Sequence, residues 1–151
     1  MIFLGSDHRG FQLKERVKQL LAAWGHRVED LGTHGPEPVD YPDLAAPVAW
    51  RVAEGRGQGI LICGTGIGMS VAANKVPGVR AALCLNRQMA AQGRAHLDAN
   101  VLVLGAEVVP LEELEPILRA WLSTPFEGGR HRRRLAKIER IERRCWERAG
   151  A

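Results

Sequence analysis

The chain has 151 residues, 46% of them hydrophobic and 25% charged, with a formal net charge of +4. That length and composition fit one globular domain with a real core and exclude a disordered or fibrous chain; no apolar run approaches the roughly 18–20 residues of a membrane span. Three widely spaced cysteines without a CxxC pair exclude a disulfide framework and favour a reducing compartment.

The opening, MIFLGSDHRG, lacks the regions of a secretory signal, so the expected location is the cytoplasm. IFLG reads as a buried strand and Ser6-Asp7-His8-Arg9-Gly10 as a turn. Leu13, Val17, Leu20, Leu21 and Trp24 recur at helical spacing, with Gly25 at the stop. HRVEDLG reads as a second strand, and THGPEPVDYPD as a loop. Asp43 is placed as the cap of a helix through Leu44, Val48 and Val52, with Pro47 in its first turn. GILIC predicts a third strand, IGMSVAANK a helix and VRAALC a fourth strand. Asn86 is expected to cap the next helix, NVLVLG forms a fifth strand, and LEELEPILRAWL follows as a helix. A last helix, about 131–148, carries an apolar stripe at Leu135, Ile138, Ile141 and Cys145.

Short apolar strands alternating with helices imply a parallel sheet covered on both faces. The fold expected is α/β, a Rossmann-like three-layer sandwich with a five-stranded, mainly parallel sheet and a C-terminal helix. Residues 1–151 read as one domain. Ligands of such sheets sit outside the carboxyl ends of the strands. There Ser6-Asp7-His8 and Cys63-Gly64-Thr65-Gly66 hold most of the side chains capable of chemistry.

GTGIGMS fits none of three familiar motifs. A P-loop needs its lysine at the helix start, but Lys75 lies a helix away. The dinucleotide fingerprint needs glycine where Met69 stands, and a nucleophile elbow needs serine where Gly66 or Ile67 stands. What remains is a tight turn at Gly64, Gly66 and Gly68 whose free N–H groups favour an oxyanion. A turn serving packing alone, with Cys63 as a small core hydrophobe, is the competing reading.

From Arg130 onward, eight arginines and one lysine face three glutamates, which leaves the rest slightly acidic. No nucleic-acid motif accompanies this tail and Trp146 is its one aromatic, so no nucleic-acid or membrane partner is expected. His26 and His34 read as surface residues.

GSDHRGFQLKE, DYPD, GILICGTGIGMSVAANKVPGVRAAL, DANVLVLG and FEGGRHRRR resemble, in order, the landmarks of the ribose-5-phosphate isomerase B family, which includes the galactose-6-phosphate isomerase subunits. The resemblance runs from Gly5 to about Lys137. It implies aldose–ketose isomerisation of a sugar phosphate without cofactor or metal. It also implies a homodimer, or a dimer of dimers, with shared sites, the C-terminal helix packing on the partner. By matching position, Cys63 is the base; the family's other arrangement puts a glutamate where Met69 stands, and methionine takes no proton. Backbone amides of Gly64, Gly66, Ile67 and Gly68 hold the enediolate. Thr65 and His96 open the sugar ring, Asp7, His8 and Tyr41 bind substrate, and Arg130 and Arg134 reach the phosphate across the interface.

Two positions depart from the family. Leu97 replaces an asparagine that hydrogen-bonds substrate, and Glu107 replaces an arginine. An acid there demands either a compensating cation, with Arg9, Arg132 or Arg133 in reach, or altered recognition of the substrate's far end. The same chemistry on another or non-phosphorylated sugar, and a non-catalytic sugar-binding subunit, are the alternatives left open.

Overall fold

The computed structural model describes residues 1–150. In chain order the elements are β1 (Ile2–Ser6), α1 (Phe11–Ala23), β2 (Val28–Asp30), α2 (Tyr41–Ala53), β3 (Gln58–Cys63), α3 (Ile67–Ala73), β4 (Ala81–Leu83), α4 (Arg87–Leu97), β5 (Val101–Gly105), α5 (Leu111–Ser123) and α6 (Arg130–Gly150). The sheet runs β2-β1-β3-β5-β4, and every pairing is parallel rather than mostly so.

Strand side chains alternate between two cores. Ile2, Leu4, Ile60, Ile62, Leu102 and Leu104 pack with α1, α4 and α5. Phe3, Leu61, Cys63, Val101 and Val103 pack with α2 and α3. Both faces are dry, which explains why these strands read as apolar runs without polar alternation. The two edge strands, β2 and β4, are three residues each and shorter than their apolar runs suggest; a short edge presents few unpaired backbone groups. Chain direction across the sheet reverses between β1 and β3, and in open sheets ligands bind outside the carboxyl ends at such a point. Ser6 pairs in register with Ile62, and Cys63 with Gly105, so three strand ends lie level there.

Helix α2 corrects the sequence reading. Its N-cap is Asp40, not Asp43; Asp43 sits in the first turn, where its charge favours the helix start. The cause is Pro42, which is preorganised for a first turn and draws the start back. Pro47 therefore falls in the helix interior, not its first turn. The cap on α4 is as expected: Asn86 Oδ1 accepts from the Met89 N–H at 2.9 Å.

Under β2, Lys14 is fully buried, and its Nζ donates to both oxygens of Asp30 at 2.6 Å, with Lys18 adding a third bond at 2.9 Å. Helix α6 is anchored at its first turn, where His131 is buried, and again where the Gly78 N–H donates to Glu142 Oε1 at 3.2 Å. Farther along, Ile141 and Trp146 stay 65% and 62% exposed.

Candidate active site

Two clusters form, at opposite ends of the sheet. The first lies at the carboxyl edge. Cys63 ends β3 with its side chain toward α2 and α3, in the core cluster that holds Met69, and is 5% exposed. The turn beyond it needs Gly66, whose φ of +83° is costly for any residue with a Cβ. Ile67 N–H donates to Thr65 Oγ1 at 3.3 Å, so that amide, expected to face substrate, serves the turn instead. The amides of Thr65, Gly66 and Gly68 have no acceptor among the described residues. Helix α3 has only seven residues, so the cradle consists of the turn's own N–H groups rather than a long helix dipole.

Asp7, His8 and Tyr41 are brought to the same edge. Asp7 is buried and its Oδ1 accepts from Gly10 N–H at 3.0 Å; His8 Nδ1 accepts from Val39 N–H at 3.2 Å, tying the long loop to β1. The Tyr41 ring packs on Gly68 so closely that a Cβ there would lie 2.7 Å from Cζ. Cys84, by contrast, is inert: burial pushes its thiol up to about 12.

Glu107 is not left bare. Arg9 Nε donates to its Oε1 at 2.8 Å and Nη2 to its Oε2 at 2.5 Å. This pair holds the Glu107 carboxyl below its usual range. Of the three candidate cations, Arg9 is the one that answers the acid.

The second cluster lies at the amino edge. Helix α4 runs from the end of β4 back to the start of β5, so His96 stands just before that strand. Cys63 is level with Gly105 at the strand's far end, about 13 Å away along the sheet for four residue steps. One chain therefore does not bring His96 to Cys63. His96 instead stacks on His131, with centroids 4.3 Å apart and planes 12° apart. Glu127 Oε2 lies 3.9 Å from the His96 Nε2 and 3.5 Å from the His131 Nε2. The Glu127 N–H also donates to the Ala95 carbonyl at 3.0 Å, pinning the start of α6 to α4. Arg130 and Arg134 project from that start, exposed. Burial, then His96 and Arg130, hold the His131 imidazole below the usual histidine range, against the pull of Glu127. These three residues bring one ligand atom each within 4.8 Å of the others. Nearly parallel rings aim their lone pairs side by side, however, and tetrahedral zinc needs them convergent. Sequence reading missed His131 and Glu127; their i, i+4 spacing across Gly128-Gly129 was the available signal.

Leu97 faces neither the turn nor bulk solvent alone. It lines a groove of about 350 Å³ with Ile138 and Ile141 of α6.

A family profile described as ribose/galactose isomerase matches residues 2–138. The chain belongs to that family. Ribose-5-phosphate isomerase B of Escherichia coli (strain K12) is 47% identical over 144 residues, covering 95% of this chain and 97% of that protein. Among solved structures, ribose-5-phosphate isomerase B of Clostridium thermocellum superposes with a TM-score of 0.93 at 51% identity, covering 95% of this chain and 97% of its own. That of Mycoplasma genitalium, solved with bound ribulose-5-phosphate, gives 0.90 at 45% identity, covering 94% and 95%. Near-complete coverage of both members of each pair means that this family member carries the family's whole fold.

Proposed function

We propose that the protein interconverts ribose 5-phosphate and ribulose 5-phosphate through an enediolate, with Cys63 as the base. The Cys63 thiolate takes the proton from C2 of the open-chain aldose, the C1 carbonyl oxygen becomes the enediolate oxygen, a proton passes from the C2 hydroxyl to that oxygen, and the thiol returns its proton to C1 as the ketone forms at C2. Both steps shift electrons within one molecule, so nothing is consumed. The observation carrying this reading is the placement of Cys63 beside the unpaired amides of Thr65, Gly66 and Gly68 at the switch-point edge. Preorganised donors of this kind lower such a barrier by ~3–4 kcal/mol each.

The ring-opening donor is His96 of a second copy, with Thr65 beside the sugar, and Arg130 and Arg134 of that copy reach its phosphate. Support comes from the separation of the two clusters: a homodimer that lays one chain's amino edge against the other's carboxyl edge completes both. The exposed apolar side of α6, with Ile141 and Trp146, is surface that such packing would cover. The Arg9–Glu107 pair favours a phosphorylated substrate over a neutral one, since it cancels the acid at the mouth.

A panel of ribose 5-phosphate, hexose 6-phosphates and free ribose, run with and without a chelator, tests the reading. Ribose 5-phosphate should give the highest kcat/KM, unchanged by the chelator. Equal turnover of free ribose would refute the substrate assignment.

A further inference from the structure

Arg9 uses only half of its guanidinium on Glu107. The carboxylate takes the side edge, Nε and one Nη2 hydrogen. The end edge, formed by Nη1 and the other Nη2 hydrogen, has no acceptor among the described residues. The group lies flat on the turn: a Cβ on Gly64 would come within 2.6 Å of both Nε and Nη2, and only glycine permits this approach. Both partners are about half exposed, so the pair adds little to stability. Its effect is orientation. The two bonds fix a planar fork at the carboxyl edge, next to the Gly64–Gly68 turn and near Asp7 and Cys63, with two parallel N–H vectors free. An end-on guanidinium fork matches two oxygens of a phosphate, a geometry that a lysine ammonium cannot reproduce.

We propose that Arg9 is an anion-binding residue of this site, its free Nη edge taking two phosphate oxygens of a sugar phosphate while Glu107 acts as the positioning residue that aims it. The assignment rests on the sugar-phosphate reading above. It moves part of the phosphate recognition from the end of β5, where the chain carries an acid, to the end of β1.

The probe is inorganic phosphate, titrated calorimetrically against wild type, Arg9→Ala, Arg9→Lys and the double variant Arg9→Ala/Glu107→Gln, alongside kinetics with ribose 5-phosphate. Loss of a charge-assisted bidentate contact should weaken phosphate binding about tenfold to a hundredfold in Arg9→Ala. KM should rise in parallel while kcat changes less than about threefold. Arg9→Lys should recover little of this. The double variant should bind phosphate better than Arg9→Ala, because the acid left bare is gone. Wild-type phosphate affinity in Arg9→Ala, or full recovery by lysine, would overturn the proposal. Phosphate titration needs no turnover, so an inactive protein that still binds phosphate through Arg9 would sink the isomerase reading and leave this one standing.

Discussion

Gly105→Ala is a sharp probe of how the sheet holds the turn. A Cβ on Gly105 would lie 2.5 Å from both the carbonyl carbon and the oxygen of Thr65, and 2.6 Å from Val108 Cγ2. Val108 is 45% exposed and can rotate away; the Thr65 backbone can yield only by moving the turn. Restoring a tolerable contact requires a shift of about half an ångström, the kind of overpacking that costs ~1–3 kcal/mol. In a domain of this size that lowers Tm by about 3–10 °C. Because the shifted atoms carry the amides beside Cys63, kcat should fall about tenfold to a hundredfold at temperatures where the variant is fully folded. Gly59→Ala is the control. Its Cβ would meet Val48 at 2.7 Å and Val52 and Val101 farther out, all side chains at the other end of β3. It should lose stability comparably and keep its kcat. Calorimetry and initial rates on both variants decide the matter. Wild-type kcat in Gly105→Ala, or an equal loss in Gly59→Ala, would refute the argument that β5 buttresses the turn.

Asp30→Asn removes the counter-charge of the fully buried Lys14, and the loss should be about 3 kcal/mol, the low end for breaking a buried pair since Glu15 remains 3.6 Å from the ammonium. Burial raises the Asp30 pKa, but hydrogen bonds from Lys14, Lys18 and the Gly32 N–H outweigh it and the net direction is down. Its stabilisation is therefore present above the ordinary aspartate range and is lost as pH falls through the lower folded value. Urea melts of variant and wild type should converge in that acidic window and separate at neutral pH. His131 works the same way at milder pH. Its folded value is depressed, so the unfolded chain binds the proton first and stability drops as pH falls below about 6.5. A His131→Phe protein should melt with less pH dependence there. Asn86→Ala should cost about 1 kcal/mol, seen as a Tm lowered by about 3 °C, through loss of the α4 cap.

The sheet was legible because each strand is an apolar run closed by a turn residue, and β1, β3 and β5 formed where IFLG, GILIC and NVLVLG predict them. Strand order was not legible: nothing in the residues of β4 says that it pairs with β5 and not β3. The start of α2 misled because Asp43 and Asp40 are equally good caps, and Pro42 decided between them through backbone geometry. At the site, Cys63 and the glycine turn are contiguous in sequence and were found together. The Arg9–Glu107 pair joins residues 98 positions apart, and only the level ends of β1 and β5 make it inevitable. For His96 the resemblance implied a role in a site shared between two copies, but chain order alone does not reveal that α4 returns to the opposite edge from Cys63.

Deuterium incorporation gives the hardest test of the sulfur. Ribose 5-phosphate isomerised in deuterium oxide by the wild-type protein should yield ribulose 5-phosphate labelled at C1. Cys63→Ser, which nearly conserves volume at a buried position, should bind substrate and melt close to wild type while both turnover and labelling fall ~10²–10⁴-fold. A serine variant that isomerises and exchanges within a few-fold of wild type would mean that another group moves the proton, and the role assigned to Cys63 would be wrong.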